Sequence, residues 1–122
     1  PFRLDMPLVE RKTLAAGTTS SIRRDESPIV SLSHVTRASV TIACRYDDHA
    51  THGIRLHVRS SPNGTDFDTE DLLTFDPEFA PGRAIRQTFS WTPSVKFIKV
   101  LIENSDENHD VSAVKLIATL GG

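Results

Sequence analysis

The residues best suited to chemistry lie close together in the stretch YDDHATHGIRLH, residues 46–57. Asp47, Asp48, His49 and His52 supply two carboxylates and two imidazoles, and a His-x-x-His pair in a loop can chelate a transition metal. These four residues are therefore the candidate metal ligands. The simpler interpretation is a solvated hairpin loop, in which Asp and His are common, and the pattern is compatible with both.

A second acidic segment, SDENHD at residues 105–110, could help to hold a structural calcium ion. Calcium takes several oxygen ligands, which here would have to come from this segment and from the loop DDHATHG together. The prediction requires that both segments lie at the same end of the domain. Acidic turns also occur simply because they are soluble, so this alternative stays open. No other cofactor is predicted.

Basic side chains recur at every second position in two predicted strands. Arg45 belongs to the first strand, and Arg55, His57 and Arg59 belong to the second. If the two strands are neighbours, these side chains would form one basic face that could bind an anionic sugar or a carboxylate through paired hydrogen bonds. The alternative, which the sequence favours, is an outer face that is solvated or ion-paired with Glu103 and the acidic turns.

Aromatic rings are a further means of binding sugars, because a sugar ring can stack on an exposed aromatic face. Trp91 and Tyr46 are in phase with core residues, so we expect both to be mainly buried. Phe79, in the loop DPEFAPG, is the better candidate for an exposed ring, and Phe67 is another. The predicted ligand-binding residues are Arg45, Arg55, His57 and Phe79.

Motifs for enzymatic chemistry are missing from the sequence. It has no G-x-S-x-G elbow, no Gly-rich phosphate loop and neither HExxH nor CxxC. The one cysteine, Cys44, alternates with core residues, so its thiol is expected to be buried and inert. We therefore predict a protein that is not an enzyme, with no catalytic residue. A single cysteine also excludes an internal disulfide, which fits a reducing compartment, a prokaryotic surface or a phage protein.

Length and charge argue against several further classes of function. The 122 residues suit one domain, and the net charge is −2 with scattered Lys and Arg. This distribution argues against nucleic-acid binding and against a polybasic membrane anchor. No apolar run is long enough to span a bilayer, and no signal peptide is visible at the first residue present.

The strands that must position these residues can be predicted because apolar side chains recur at every second position. This period is typical of half-buried strands. The clearest segments are residues 38–46, 53–60, 85–91, 96–104 and 112–121, with weaker candidates at 13–16, 29–33 and 72–75. A Gly-Thr-Thr-Ser-Ser turn and a charged loop separate residues 16 and 28. The pattern predicts an all-β protein, an antiparallel β-sandwich of the jelly-roll type with seven to eight strands. Residues 1–11 are predicted as an N-terminal arm or edge strand, and residues 12–122 as a single domain.

The segment HVRSSPNGTDFD contains the strongest turn signal. Pro62 presets the first central position of a type I turn, and Gly64 supplies the positive φ that follows Asn63. We expect the chain to re-enter as a bulged hairpin, with Phe67 packing on the far side.

The second half of the chain, roughly residues 38–120, resembles discoidin-like (coagulation-factor type C-like) and other galactose-binding-like jelly rolls. Ser61-Pro62-Asn63-Gly64 with Phe67 matches the family's turn, and Phe97-Ile98-Lys99-Val100 matches the strand after the crossing loop. The two terminal cysteines and the N-terminal Trp of discoidin domains are absent. The resemblance implies a non-catalytic role in adhesion, glycan binding or assembly.

Two functions are compatible with these observations. The first is a binding or adhesion module for carbohydrate, within a larger surface or phage-tail-type protein. The alternative is a structural assembly domain that binds no small ligand and forms homo-oligomers through residues 1–11 and an exposed edge strand. The expected partner is thus a carbohydrate or a protein. A cell-surface, extracellular or virion-associated location is favoured over the cytoplasm.

Overall fold

The computed structural model describes residues 2–20 and 27–122, and within these ranges every regular element is a β-strand. The strands are β1 (Arg3–Leu14), β2 (Val30–Ser31), β3 (Arg37–Tyr46), β4 (Ile54–Ser61), β5 (Leu73–Phe75), β6 (Ala84–Trp91), β7 (Phe97–Asn104) and β8 (Val111–Gly121). Most of the charged loop predicted before residue 28 lies outside the described residues. The all-β prediction is confirmed.

The eight strands form two four-stranded antiparallel sheets. Sheet 1 has the order β1-β8-β3-β6, and sheet 2 has the order β2-β7-β4-β5. The first strand pairs with the eighth, the second with the seventh, the third with the sixth and the fourth with the fifth. This is one long hairpin rolled into two layers, which is the arrangement of a jelly roll.

Strict alternation places the core between the sheets. In β3, Val40, Ile42 and Cys44 are buried, whereas Thr41 and Ala43 face outward and are only partly covered. The same alternation buries Leu56 and Val58 in β4. Burial of such a side chain contributes roughly 1.5–3 kcal/mol to folding. The period of two in the sequence therefore selects the fold.

The sandwich has two ends with different loops. The Asp106 end carries residues 15–20 and the loops β3–β4, β5–β6 and β7–β8, whereas the Arg37 end carries the loops β2–β3, β4–β5 and β6–β7 with residues 2 and 122. Each end gathers segments that are far apart in the sequence. Candidate sites on different segments can therefore meet only at one of these ends or on the outer face of one sheet.

The N-terminal strand is longer than the sequence suggested. Residues 3–11, expected as an arm or edge strand, and the separate candidate at 13–16 are largely one strand, β1, which pairs with β8 from Arg3 to Leu14. The register shifts between Pro7 and Val9, where Leu8 forms a bulge. The pause in alternation at this bulge is what made one strand look like two.

The predicted turn after β4 is present in part. Gly64 has φ 77°, and Ser61 and Asn63 brace the turn with their side-chain oxygens. The chain does not form a tight hairpin, however, because the next strand, β5, begins only at Leu73. Phe67 lies instead under the Lys99 ammonium, 5.2 Å from the ring centroid.

Among the described residues there is no helix of the length and apolarity needed to cross a membrane.

Candidate functional site

The loop of candidate metal ligands is a braced turn. The Asp47 carboxylate accepts a hydrogen bond from the backbone N–H of His49 at 2.8 Å, and His52 Nδ1 lies 3.0 Å from the Thr51 hydroxyl. No three His, Cys, Asp or Glu side chains in residues 2–20 and 27–122 are placed to hold a metal ion. Within the predicted ligand set Asp47, Asp48, His49 and His52, the structure brings Asp47 and His49 near each other, with 3.7 Å between Oδ1 and Nδ1, but no three of the four are placed to hold one ion.

Asp48 has a different structural role. A Cβ atom at Gly82 would lie 2.7 Å from Asp48 Oδ1, and Gly82 has φ 74°. The Gly82 N–H also donates to the Asp47 carbonyl at 3.0 Å. The positive φ of Gly82 favours glycine at this position, where the β5–β6 loop packs on the β3–β4 loop.

Asp106 joins the two acidic loops on which the calcium prediction rests. Its carboxylate accepts hydrogen bonds from the backbone N–H groups of Thr51 at 2.7 Å, Asn108 at 2.9 Å and His109 at 3.1 Å. Burial raises the pKa of Asp106, but the hydrogen bonds from Thr51, Asn108 and His109 lower it more, so the net pKa lies well below the ordinary value. The two loops do lie at one end, and the Asp106 carboxylate accepts hydrogen bonds from N–H groups of both of them. Calcium binding at this end stays a prediction.

The outer face of sheet 2 carries an ion-paired group that we call the sheet 2 ion cluster. Arg55 Nε donates to Asp76 at 2.7 Å, and Arg59 Nε donates to Asp71 at 3.2 Å. Between them, the two ring nitrogens of His57 lie 2.5 Å from Asp71 Oδ2 and 2.9 Å from Glu103 Oε1. The members are Arg55, His57, Arg59, Asp71, Thr74, Asp76 and Glu103.

Asp71 is the acceptor at the centre of this cluster. Partial burial raises its pKa, but hydrogen bonds from His57, Arg59 and Thr74 outweigh that effect, and the net pKa is below the ordinary value. The carboxylate is thus held ionised by donors from β4 and β5. The cations of this face are already paired within the chain, as the favoured interpretation of the sequence expected.

Arg45 lies on the other side of the molecule. It belongs to β3 in sheet 1, whereas Arg55 and His57 belong to β4 in sheet 2, and all three face outward. The hypothesis of one basic face shared by these residues is therefore wrong. The reason is topological, because the chain crosses from sheet 1 to sheet 2 between β3 and β4.

Phe79 is exposed, as predicted, and borders a small cleft at the Asp106 end. Its ring packs edge-on against Tyr46 with 5.2 Å between centroids, and 40% of the residue is accessible. The cleft measures about 260 Å³ and is lined by His52, Gly53, Ile54, Arg55, Asp76, Pro77, Phe79 and Ser105. Tyr46 itself is buried, as expected, and burial raises its pKa to about 12.

Cys44 and Trp91 follow the expected trend toward the interior. Burial raises the pKa of the Cys44 thiol to about 12, which keeps the thiol protonated. Trp91 is half-buried and packs on Phe75, with ring centroids 5.9 Å apart. Its buried Nε1 finds no hydrogen-bond partner in the part of the chain that the structure describes.

A groove of about 490 Å³ lies on sheet 1 at the Arg37 end. We call it the Arg37 groove. Its lining contains two arginines, two aromatic residues and several small side chains, with no carboxylate: Phe2, Arg3, Arg37, Ala38, Ser39, Ser90, Trp91, Thr92, Thr119, Leu120 and Gly121.

Strand register explains this groove. Arg3 and Arg37 both pair with Gly121, so two long basic side chains flank a position that has no side chain. Because neighbouring strands are spaced about 5 Å apart, the two arginine backbones are about 10 Å apart. The next row contains Thr119, Ser39 and Ser90, which are short. Small side chains between two arginines leave an open channel.

The two arginines differ in their partners. Arg3 makes an exposed ion pair with Asp5 at 3.3 Å. No hydrogen bond or ion pair joins the Arg37 guanidinium to any residue within 2–20 or 27–122, and Arg37 is exposed. The groove therefore offers at least one cation that has no partner among the described residues.

Strand β1 forms one of the two edges of sheet 1 beside this groove, and β6, with eight residues, forms the other. Strand β1 is 12 residues long and pairs with β8 on one side only. Phe2 and Leu4 are 44% and 51% exposed, although Leu4 lies in the inward-facing row with Leu120. By contrast, the edge strands of sheet 2, β2 and β5, have two and three residues.

Sequence reasoning did not identify the residues of the groove. Arg37 was a residue before a strand and Gly121 the last residue of another, and nothing in the sequence pairs them. The one available signal was the pair of apolar residues Phe2 and Leu4 in a segment without clean periodicity. Exposed apolar residues on an edge strand are typical of association surfaces.

Comparison with known proteins gives fold likeness without sequence kinship. No family model matches the chain, and no curated protein matches it. A chain of the T13 IBDV viral particle aligns with a TM-score of 0.54 and 15% identity, over 99% of this chain and 31% of the viral chain. A protein of Bacillus endospore appendages, which form disulfide-linked pili, aligns with a TM-score of 0.40 and 14% identity, over 98% of this chain and 82% of that one.

The likeness to the viral chain supports the β-sandwich and nothing finer. At 15% identity the viral comparison shows the fold alone, and the chain spans less than a third of that viral chain. Neither comparison is with a discoidin-like or galactose-binding protein, so that part of the resemblance stays a prediction.

Proposed function

We propose that this protein is a structural assembly domain of a virion or cell surface, which associates with further copies of itself through β1. The observation that carries the proposal is the 12-residue edge of β1, which bears the exposed apolar residues Phe2 and Leu4. An unpaired edge offers a row of backbone donors and acceptors to another strand. This was the alternative function in the sequence analysis.

Features that disfavour pairing with another strand are unevenly distributed along β1, and this indicates where the contact forms. Pro7, the bulge at Leu8 and the charged residues 10–12 disfavour pairing along the second half of β1. The first half, Phe2–Met6, lacks such features apart from Arg3 and Asp5, which pair with each other. Association is therefore expected along the first half.

The likeness to a chain of a viral particle is in keeping with this role. Particles are built from many copies of a few chains, and an assembly domain needs a rigid body with a reserved contact surface. The braced loops of the Asp106 end and the ion-paired face of sheet 2 provide such a body. No catalytic residue is proposed.

The test is the oligomeric state of the protein and of the variant Leu4→Lys. Light scattering after size exclusion, over a range of concentrations, should find a concentration-dependent oligomer that is at least about tenfold weaker in the variant, because an exposed edge lysine resists strand pairing. Phe79→Ala removes a similarly exposed apolar residue at the opposite end and should leave association unchanged. A wild-type protein that stays monomeric at every concentration would refute the proposal.

Carbohydrate binding is a second candidate, favoured by the exposed Phe79 ring beside the cleft of about 260 Å³. His52, Arg55, Asp76 and Ser105 would form the polar rim of a sugar site around the aromatic face. A glycan array should detect binding that Phe79→Ala abolishes and that Leu4→Lys preserves. An array without any bound glycan would remove this candidate.

A further inference from the structure

We propose that the Arg37 groove of one copy receives the acidic segment Asp68–Leu72 of a second copy, so that assembly is head-to-tail. This inference rests on the proposed assembly function and adds a second contact to it, on the face of sheet 1 beside the β1 edge. It starts from two surfaces of the same chain whose charges are complementary and which do not touch within one copy.

The first of the two surfaces is the basic groove, whose arginines would donate hydrogen bonds. Arg37 has no partner in the described part of the chain, and none of the residues that line the groove is acidic. Phe2 and Trp91 add aromatic walls, and the short side chains of Ser39 and Ser90 leave room for a chain segment. This chemistry fits an acidic peptide that also carries an apolar side chain.

The second surface is acidic and lies in the β4–β5 loop, where its carboxylates would accept hydrogen bonds. Four of the six residues 66–71 are Asp or Glu, which makes this the most acidic stretch of the chain. Glu70 is exposed and makes no hydrogen bond or ion pair with the residues that the structure describes, while Leu72 is 40% exposed. An unpaired carboxylate thus lies close to an exposed apolar side chain.

The conformation of this segment is already fixed. Asp71 is held by His57, Arg59 and Thr74, and the backbone N–H groups of Asp68 and Leu72 donate to the Ser60 and Val58 carbonyls. Glu70 and Leu72, which lie on either side of Asp71, therefore project into solvent from a rigid support. Little conformational entropy would be lost when they dock.

The position of the two surfaces implies contact between copies. The groove opens on sheet 1, whereas the segment lies along β4 of sheet 2, so one copy cannot fill its own groove. Because the two patches lie on different sheets, a single partner copy does not cover both of them, and the contact is therefore heterologous. Such contacts build rings when the rotation closes and filaments when it does not.

Charge reversal with mixing tests the contact. Arg37→Glu and Glu70→Lys should each weaken association at least about tenfold in light scattering, because each places like charges opposite one another. An equimolar mixture of the two variants should restore association to within about threefold of the wild-type protein, since each variant then meets its complement. Lys115→Glu and Glu107→Lys are matched reversals elsewhere and should change nothing.

Milder variants guard against loss of the fold. Arg37→Gln and Glu70→Gln remove the charges without reversing them and should weaken association less, while thermal melts show whether each variant is folded. If both reversals weaken association but the mixture does not recover, the groove does not bind this segment and the inference fails. If neither reversal matters while Leu4→Lys dissociates the oligomer, the inference fails and the assembly function stands.

Two further outcomes would also be decisive. A wild-type monomer at every concentration would overturn the inference together with the assembly function. Binding of an anionic glycan that Arg37→Glu abolishes, with unchanged association of copies, would assign the groove to a glycan and overturn the inference alone.

Discussion

Two surfaces of this sandwich carry arginines at the same kind of position, an outward-facing site on a strand, yet they treat the charge differently. On sheet 2, Arg55 and Arg59 donate to Asp76 and Asp71, and His57 bridges Asp71 and Glu103. On sheet 1, Arg37 makes no ion pair with the described residues, and Arg3 has only the exposed Asp5. One surface is closed by the chain itself, and the other is open.

The difference shows that a basic residue does not by itself indicate a ligand-binding site. A basic side chain is available to a ligand only if no carboxylate from another segment of the chain already pairs with it. The β4–β5 loop and β7 bring Asp71 and Glu103 against His57, whereas Gly121, Ser39 and Thr119 surround Arg37 with short, uncharged side chains. A surface without internal partners is the better candidate for an external one.

The comparison is tested most strongly by removing the central acceptor of the closed surface. Asp71→Ala leaves His57, Arg59 and Thr74 without their shared partner, and we expect the free energy of unfolding to fall by about 2 kcal/mol. Urea denaturation of the monomer measures this. Glu70→Ala removes the adjacent, unpaired carboxylate and should be neutral, so an equal loss in both variants would contradict the distinction between the two surfaces.

The pH dependence of the same cluster sharpens the comparison. The folded pKa of Asp71 is lowered from 3.8, so its contribution is fully present above that pH and is lost as the pH falls through the lower folded pKa. The stability difference between the wild-type protein and Asp71→Asn should therefore be constant near neutral pH and should shrink below about pH 4. A difference that grows on acidification would reverse the sign and refute the assignment.

The smallest effect is expected on the open surface. Arg37→Ala breaks no hydrogen bond or ion pair with the described residues, so the free energy of unfolding of the dilute monomer should change by less than about 0.5 kcal/mol. The measurement is again urea denaturation. A loss comparable with that of Asp71→Ala would mean that Arg37 has a structural role and that the groove is not reserved for a partner.

The candidate sites show how far sequence reasoning reaches. Phe79 was predicted to be exposed, and Tyr46 and Cys44 to be buried, because loop position and alternation determine these outcomes locally. The pairing of His57 with Glu103 was the favoured alternative and is present. The shared basic face failed, since nothing in the sequence states that β3 and β4 belong to different sheets.

The metal prediction rested on proximity in sequence. In the β3–β4 loop the side chains of Asp47 and His49 do lie near each other, but no three acidic, His or Cys side chains of the described residues are placed to hold one ion. Proximity in space placed Asp106 beside Thr51, 55 positions away, where it serves as a hydrogen-bond acceptor. The two loops therefore lie at the same end, as a shared calcium site would require, and Asp106 links them through hydrogen bonds. The calcium site itself stays a prediction.

The sequence by itself determined that this chain folds as an all-β sandwich, because a period of two in its apolar residues leaves one buried face on each strand, whatever the order of the strands. Only the tertiary structure decided which strands are neighbours, and therefore which charges are paired and which are left open. The physical reason is the distance along the chain over which each effect acts. Alternation acts between adjacent residues, whereas the row Arg3–Gly121–Arg37 joins three segments whose encounter depends on how the whole chain rolls up.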